Sequence, residues 1–335
     1  MHAPNPARAA QFAALRQDGV VCRPADLGLI RVAGDDAATF LHSQLTNAVE
    51  DLPQGQARLA GYCSPKGRLL ATLLIWRDAQ GIAMQLSADL QPAIQKRLSM
   101  FVLRAKARLS DLGAEAGIVG VAGAKGDSAL AAAGLPAPAE PWSTAGAGEA
   151  TVIRLPDADG VPRWQVVAPA AQADALRETL GTTLLQADAE LWDWLEIRAG
   201  IPRIVVATQE QFVPQMINYE LIGGVNFRKG CYPGQEVVAR SQYRGTLKRR
   251  MWLVSGEGET PDEGAEIYRA DDPGQPSGMI VNAAPKPDGA GWDALAELKI
   301  DAAGASLHLG HAEGLAITVG ELPYPVPLLA TDPAA

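Results

Sequence analysis

The sequence predicts an α+β fold, with a ferredoxin-like α+β unit in the middle and a small β-barrel at the C-terminal end. The chain has 335 residues, of which 47% are hydrophobic and 20% are charged. This composition is typical of a globular protein, and the length exceeds what one ordinary core holds, so two or three domains are expected. Strand-like and helix-like segments alternate up to about Thr246, and only short strand-like runs follow.

The first unit is predicted over residues 1–115, and we expect it to interleave with the second. A strand at 28–33 leads into a helix that Asp35 caps and that extends to about Leu45. Three more strands and an amphipathic helix follow between turn sequences, at 57–63, 68–76, 82–86 and 89–101.

The second unit, 116–245, has the strand–helix–strand–strand–helix order of a ferredoxin-like fold. The alanine-rich stretch 131–149 is interpreted as a connector within it, and a helix at 187–199 is broken by Gly200-Ile-Pro. The segments of the ferredoxin-like order lie at 118–122, 127–133, 151–155, 164–167 and 170–180.

The third unit, 246–335, is predicted to be a small β-barrel, because short strand-like runs are separated by Gly, Pro and Asp turns. These runs lie at 248–255, 266–269, 277–282 and 292–300.

Charge is distributed unevenly along the chain. The segment 225–250 carries seven basic residues and the single acidic residue Glu236, whereas the whole chain has a formal net charge of −9. Such asymmetry indicates an anionic partner, either a polycarboxylate, a phosphate or a nucleic-acid backbone, or else a solvated strand paired with acidic neighbours. A pI near 5.0 excludes a general nucleic-acid binder. We call six of these residues the basic strip: Arg228, Arg240, Arg244, Lys248, Arg249 and Arg250.

Cys22, Cys63 and Cys231 are odd in number and lack C-x-x-C spacing. This pattern argues against a disulfide framework and against a self-contained metal or cluster site. The N-terminus lacks the apolar core of a signal peptide, and no apolar run reaches 18 residues. We therefore expect no membrane partner and a reducing cytoplasm.

The octapeptide Lys-Gly-Cys-Tyr-Pro-Gly-Gln-Glu at 229–236 is the most informative stretch. Gly230 and Gly234 permit positive φ or close approach of a ligand, and cationic neighbours favour the thiolate form of a cysteine. Cys231 is therefore predicted to be a reactive thiol assisted by Lys229. A cysteine packed in a tight turn is the alternative.

The sequence resembles the YgfZ proteins, folate-binding relatives of the aminomethyltransferase (T-protein) of the glycine cleavage system. The cysteine octapeptide is the most specific part of the resemblance, which covers nearly the whole chain in the expected order. Its segments are Phe40–Asn47, Cys63–Arg68, Ala199–Pro202, Gln211–Asn218, Gly223–Arg240 and Leu322–Tyr324.

The resemblance implies a three-domain, ring-like T-protein fold whose central cavity holds tetrahydrofolate or a derivative. It places a folate-contacting tryptophan at Trp192, and the flat indole suits stacking on a pterin ring. Two positions depart from the family. Leu27 stands where a second ring-contacting tryptophan is expected, and Arg198 stands where a carboxylate would accept pterin hydrogen bonds, with Glu196 on a different helical face. The remaining expected cofactor-binding residues are Gln215, Asn218, Tyr232, Gly234, Gln235 and Glu236.

The function predicted first is a folate-binding accessory protein that supports iron–sulfur cluster assembly or repair, and through it transfer-RNA modification, by means of Cys231. Such a protein is not expected to be an ordinary turnover enzyme, because Ala71 and Thr72 replace the acidic pair of the T-protein. No resident metal is expected, and a lone cysteine would ligate a cluster only transiently, together with a partner.

Two alternatives stay open: a folate-dependent one-carbon transferase, and an RNA-binding module that uses the basic strip. The expected partners are folate, iron–sulfur enzymes or their assembly proteins, and at most a weak or indirect link to transfer RNA. The chain is expected to be a monomer.

Overall fold

The structure of the protein is a computed structural model that describes residues 6–243 and 247–327. The predicted α+β class is confirmed. Arg244, the domain boundary predicted at 245/246 and residues 328–335 lie outside the described residues. The helices are α1 (Pro6–Gln17), α2 (Ala37–Gln44), α3 (Gln91–Phe101), α4 (Gly126–Ala132), α5 (Ala170–Leu180), α6 (Ala189–Arg198) and α7 (Gln235–Tyr243).

The strands form two open sheets and one closed barrel. Their bounds are β1 (Val20–Cys22), β2 (Leu27–Ala33), β3 (Ala57–Cys63), β4 (Leu69–Asp78), β5 (Gly81–Ser87), β6 (Arg108–Asp111), β7 (Ala116–Ala122), β8 (Thr144–Ala147), β9 (Ala150–Ala158), β10 (Val161–Pro169), β11 (Leu185–Ala187), β12 (Arg249–Gly256), β13 (Glu266–Arg269), β14 (Gly278–Pro285), β15 (Trp292–Lys299), β16 (Leu307–Leu309) and β17 (Leu315–Gly320).

The first sheet has the order β3-β4-β5-β2-β6, and its neighbours pair antiparallel. Strand β4 reads Leu-Leu-Ala-Thr-Leu-Leu-Ile-Trp and is buried along its first eight residues. Such a continuous apolar run is typical of a strand that is covered on both faces. Three consecutive residues of this strand, Thr72–Leu74, line the cavity described below.

The second sheet has the order β11-β1-β7-β10-β9-β8. Strand β1 comes from the N-terminal segment and pairs with β7 and β11, so an N-terminal strand belongs to the second sheet. The interpretation of 131–149 as a plain connector was wrong for its second half. Residues Thr144–Ala147 form β8, which pairs with β9, because Ala57 and Gly55 also supply hydrogen-bond partners to this stretch.

The predicted barrel is confirmed as a closed set of strands in the order β12-β15-β14-β13-β16-β17. Strands β16 and β17 were missed in the sequence, and β16 has only three residues. The indole Nε1 of Trp194 on α6 donates to Asp293 Oδ2 on β15 at 2.9 Å. This buried bond fixes α6 against the barrel.

The cap predicted for α2 was wrong. Asp36, not Asp35, is the N-cap residue, and its side chain accepts a hydrogen bond from the backbone N–H of Lys106 at 2.7 Å instead of capping the helix. In the part of the chain that the structure describes, no helix has the length and apolar character needed to cross a membrane.

Candidate functional site

A cavity lies between the first sheet, α6 and barrel strand β14. It is a partly open cleft, and its roughly 970 Å³ of space between atoms includes solvent at the mouth. Apolar side chains and a few polar groups line it together, the usual composition of a ligand site. The lining residues are Asp26, Leu27, Leu59, Thr72, Leu73, Leu74, Gln85, Leu86, Trp142, Leu155, Gln165, Trp192, Asp193, Glu196, Ile197, Ile201, Pro202, Arg203, Tyr219, Glu263, Asn282 and Ala283.

Helix α6 presents Trp192, Asp193 and Glu196 to this cavity. Residues four apart on a helix share a face, which places Glu196 one turn beyond Trp192. The Trp192 indole is 1% exposed, and the Arg163 guanidinium lies 5.3 Å from its ring centroid. Arg163 Nη1 donates to Glu196 Oε1 at 2.6 Å. A Cβ atom at Gly120 would lie 2.5 Å from the indole, so the glycine makes room for Trp192.

The cavity is acidic on one side. Burial raises the pKa of Asp193 to about 6, the Arg203 guanidinium 3.4 Å away opposes the shift, and Glu196 adds to it. Asp26 and Glu263 raise the pKa of Asp193 further. Asp193 therefore changes charge near neutral pH, which is characteristic of carboxyl groups at functional sites.

Glu196 and Arg198 lie on different faces of α6, and Glu196 lines the cavity together with Trp192. Arg198 instead points into a neighbouring cleft, where it pairs with Asp159 Oδ1 at 2.7 Å and with Asp293 Oδ2 at 3.7 Å. Leu27 lies in the cavity wall, and its expected contact with folate stays a prediction. The carboxylates available to a ligand therefore come from Asp193 and Glu196 rather than from position 198.

Thr72, one of the two residues that replace the T-protein acidic pair, also lines the cavity. Its Oγ1 accepts a hydrogen bond from the backbone N–H of Ile204 at 3.0 Å. This contact fixes the chain that follows Gly200-Ile-Pro against strand β4.

Sequence reasoning missed Trp142. Its side chain lines the cavity and two adjoining clefts, one that contains Arg228 and one that contains Arg198. Its φ of +67° is in the left-handed region, and its backbone bonds Arg154 and Ala57 at 2.7 Å each. A strained bulky residue where cavities meet indicates a functional constraint. An isolated tryptophan in a stretch rich in Pro, Ala and Gly was the available signal.

The cysteine octapeptide forms an exposed loop before α7. Cys231 is exposed, whereas Cys22 and Cys63 are buried. Burial raises the pKa of Cys63 to about 12 and raises that of Cys22 beyond the physiological range. Cys231 is therefore the cysteine that a partner molecule can reach.

Lys229 anchors the loop. Its Nζ donates to the backbone oxygens of His42 at 2.6 Å and Leu45 at 2.9 Å, at the end of α2, and lies 4.7 Å from the ring centroid of Tyr232. Partial burial lowers the pKa of Lys229 to about 8, while Cys231 and Glu50 oppose that shift. A cation at the C-terminus of a helix is favoured by the helix dipole.

The two glycines of the loop differ. Gly234 has φ +80°, and a Cβ atom there would lie 2.4 Å from the Ser64 carbonyl oxygen, so only glycine fits against the Ser64–Gly67 turn. Gly230 has no positive φ, and a Cβ atom there would meet open space. Gly230 therefore makes no close packing contact through the position of a Cβ atom, whereas Gly234 is needed for packing.

Gln215 and Asn218 are fully buried and act as internal supports. Gln215 Nε2 donates to the Val238 carbonyl at 2.8 Å, and Asn218 Nδ2 donates to the Met251 carbonyl at 2.9 Å. These bonds join the segment before the cysteine loop to α7 and to β12. Glu236 pairs with Arg240 one turn along α7 at 3.3 Å.

The basic strip is not one continuous surface. Arg249 bonds both carboxylate oxygens of Glu297, at 3.0 and 2.7 Å. Arg250 forms a buried ion pair with Glu220 Oε1 at 2.5 Å. Arg228, Arg240 and Lys248 are exposed. The reading of the strip as one anionic-partner surface was therefore wrong for Arg249 and Arg250, because their charge is compensated inside the protein.

Other segments of the resemblance converge on the cysteine loop and on the cavity rim. Thr46 Oγ1 donates to the Gly224 carbonyl at 2.6 Å, and Asn47 Nδ2 donates to the Gly223 carbonyl at 2.7 Å. Tyr324 OH donates to the Gly200 carbonyl at 2.8 Å. These side chains act as supports for backbone rather than as ligand contacts.

The histidines near the C-terminus hold a turn, since His308 Nε2 lies 3.0 Å from Ser306 Oγ and His308 Nδ1 lies 3.0 Å from the Gly314 carbonyl oxygen. Within residues 6–243 and 247–327 there is no group of three or more His, Cys, Asp or Glu side chains that could hold a metal ion.

Comparisons with solved structures show the fold. The chain is similar to the glycine cleavage system aminomethyltransferase T from Bartonella henselae, with a TM-score of 0.77 and 18% identity over 94% of this chain and 89% of that chain. A heterotetrameric sarcosine oxidase chain from Corynebacterium sp. U-96 aligns with a TM-score of 0.36 and 14% identity over 52% of this chain and 90% of that chain. This score is too low to indicate a shared fold.

Comparison with curated proteins shows the family, although no protein-family model matches the chain. The chain is 34% identical over 249 residues to the tRNA-modifying protein YgfZ of Cronobacter sakazakii (strain ATCC BAA-894), an alignment that covers 72% of this chain and 73% of that protein. The chain therefore belongs to the YgfZ family.

Proposed function

We propose that this protein binds a tetrahydrofolate in the cavity of Trp192 and Asp193 and supports iron–sulfur enzymes in the cytoplasm through the Cys231 thiol. The observation that carries the proposal is the pairing of a fixed indole with two carboxylates on one face of α6, where they line a partly open cavity. The role in transfer-RNA modification would follow from the enzymes that are supported.

The lining residues suit the pterin end of a folate. Trp192 and the leucines of β4 and β5 offer apolar surface to a flat ring, and Asp193 and Glu196 offer acceptors to its amino and ring N–H donors. Glu196 is oriented by Arg163, and Asp193 by Arg203. A bound folate would supply a one-carbon carrier, and these residues would bind it and exclude water from it.

The thiol is arranged for contact with another molecule. Cys231 is exposed, its loop is anchored by Lys229 and Gly234, and Gly230 leaves space beside it. A loop held in one conformation presents its thiol without a large ordering cost on association. We infer that Cys231 acts on an iron–sulfur cluster carried by a partner protein. Its thiol either exchanges with a ligand of that cluster or completes the set of ligands.

A second candidate is a folate-dependent one-carbon transferase, and the Asp193 carboxyl favours it. A cavity carboxyl with a pKa of about 6 is suited to general acid–base work near neutral pH. In this reading Asp193, rather than the residues at 71 and 72, would handle the proton.

The test is complementation of a strain that lacks its YgfZ protein, with the activity of a cluster-dependent thiolation enzyme as readout. We expect wild type to rescue and Cys231→Ser to fail, while calorimetry gives the same affinity of both proteins for tetrahydrofolate. Trp192→Ala should lower that affinity by at least tenfold.

The matched control for the thiol is Cys63→Ser, a change at a buried cysteine, checked by thermal unfolding. Equal rescue by Cys231→Ser and wild type would overturn the thiol role. Folate-dependent turnover that survives Cys231→Ser but disappears in Asp193→Asn would favour the transferase.

A further inference from the structure

The C-terminal end of α3 carries an exposed apolar tip, formed by Met100, Phe101 and Leu103. Their exposed fractions are 60%, 47% and 86%. The apolar side chains that α3 needs for its own packing are Ile94 and Leu98, which are buried. The tip is therefore not needed for the packing of α3, and it exposes three large apolar side chains to water.

The backbone of the tip has a conformation that is energetically unfavourable for leucine. Leu103 has a φ of +46°, a left-handed conformation that glycine or asparagine usually occupies at the end of a helix. A leucine here is unfavourable both for its backbone and for its exposure. Such an outlier points to a requirement outside the fold of the isolated chain.

Both sides of the tip are fixed. Before it, the backbone N–H of Val102 bonds the Ser99 carbonyl at 3.3 Å. After it, the backbone N–H of Lys106 donates to Asp36 Oδ2 at 2.7 Å, and the Lys106 carbonyl accepts from the backbone N–H of Asp36 at 3.2 Å. A tip fixed in this way loses little conformational entropy on docking.

A rim of positive charge surrounds the tip. Residues 90–110 contain five basic and no acidic side chains, in a chain of net charge −9. Four of them are exposed and form the basic rim: Lys96, Arg104, Lys106 and Arg108. Among the described residues, the ion pair that involves this rim joins Lys106 to Asp35. The Lys106 Nζ lies 3.5 Å from Asp35 Oδ2, and both side chains are largely exposed. The rim therefore stays electropositive and suits an acidic surface.

We propose that the tip and its basic rim are a docking site for an acidic partner protein whose apolar pocket receives Leu103. An apolar anchor surrounded by charged residues is the organisation of protein–protein interfaces. RNA phosphates would match the rim but leave Met100 and Leu103 uncovered, since base stacking uses flat rings and Phe101 is the one aromatic residue of the tip. A membrane is disfavoured because the apolar face of α3 is already packed on the core, which leaves no helix face to lie in a bilayer.

The test begins with a photo-reactive phenylalanine derivative at Met100, which leaves Leu103 intact, and with the same derivative at the exposed Leu315 as matched control. The protein that is cross-linked from position 100 is identified and purified, and its affinity is measured by calorimetry. We expect Leu103→Gly and the double change Arg104→Glu/Arg108→Glu each to weaken binding at least tenfold, with Leu315→Ala equal to wild type.

Leu103→Gly separates docking from folding. Because glycine accepts positive φ, its thermal midpoint should equal or exceed that of wild type while binding is lost. The proposal is overturned if position 100 gives no adduct above that of position 315, or if Leu103→Gly binds the purified partner as wild type does. Binding to phosphatidylserine-containing vesicles or to bulk transfer RNA that disappears in Leu103→Gly would also overturn it. This docking site is independent of the proposed folate and thiol roles.

Discussion

The cavity and the cysteine loop are built in opposite ways. The cavity collects residues from positions between Asp26 and Ala283 and contains a half-buried carboxyl, that of Asp193, whose pKa is raised to about 6. The loop comes from one octapeptide and leaves its thiol exposed. The comparison teaches that the cavity and the exposed thiol are separate features of the structure, so the two proposed roles can be tested by separate mutations.

The largest expected effect concerns the support of the loop. Arg250→Ala should lower the free energy of unfolding by about 3–5 kcal/mol, because it leaves the buried Glu220 carboxylate without its partner. Urea denaturation measures the change. Arg240→Ala removes an exposed pair and should cost less than about 1 kcal/mol. Equal losses of unfolding free energy in Arg250→Ala and Arg240→Ala would mean that both arginines belong to one exposed basic surface.

The two loop glycines give the next contrast. Gly234→Ala should destabilise the protein by about 1–3 kcal/mol, because alanine must adopt φ +80° and its Cβ would collide with the Ser64 carbonyl. Gly230→Ala should change stability by no more than about 0.5 kcal/mol. In Gly230→Ala the reaction of Cys231 with a bulky maleimide should slow while fold and folate affinity persist. An unchanged labelling rate would show that the space beside Gly230 is not the approach path.

On the cavity side, the affinity for tetrahydrofolate should rise with pH through about 6, the pKa of Asp193, because the ionised carboxylate is the better acceptor. Asp193→Asn should lower the affinity at pH 7.5 by roughly tenfold, the loss of about one hydrogen bond to a charged group. Calorimetry between pH 5 and pH 8 measures both effects. A pH dependence that survives in Asp193→Asn would assign the titration to another group.

The smallest expected effect tests the residue that sequence reasoning missed. Trp142→Leu should weaken folate binding by about threefold to tenfold, and Trp142→Phe should retain most of the affinity, if the ring stacks on the ligand. Both replacements keep the backbone bonds to Arg154 and Ala57. Trp252→Leu in the barrel is the matched control. Equal folate affinities of Trp142→Leu and Trp142→Phe would show that Trp142 only fills space in the cavity wall.

Local patterns in the sequence were sufficient for much of the fold. The apolar runs of β4 and the turn-bounded runs of the barrel predict strands directly, because burial and turn chemistry act over a few residues. Strands β8 and β16 were missed, because strands of four and three residues are too short to show a clear alternating pattern. The domain boundaries, the ring arrangement and the roles of the remaining site residues stay predictions.

The cysteine octapeptide and the YgfZ resemblance were determined by sequence alone, because each is a matter of residue identity over a short span. Tertiary structure decided which charges are free: it buried Arg250 against Glu220 and turned Arg198 away from the cavity while Glu196 faced it. It also placed Trp142 in the wall and left Leu103 exposed. Charge compensation and cavity shape are long-range properties, which no local pattern in the chain encodes.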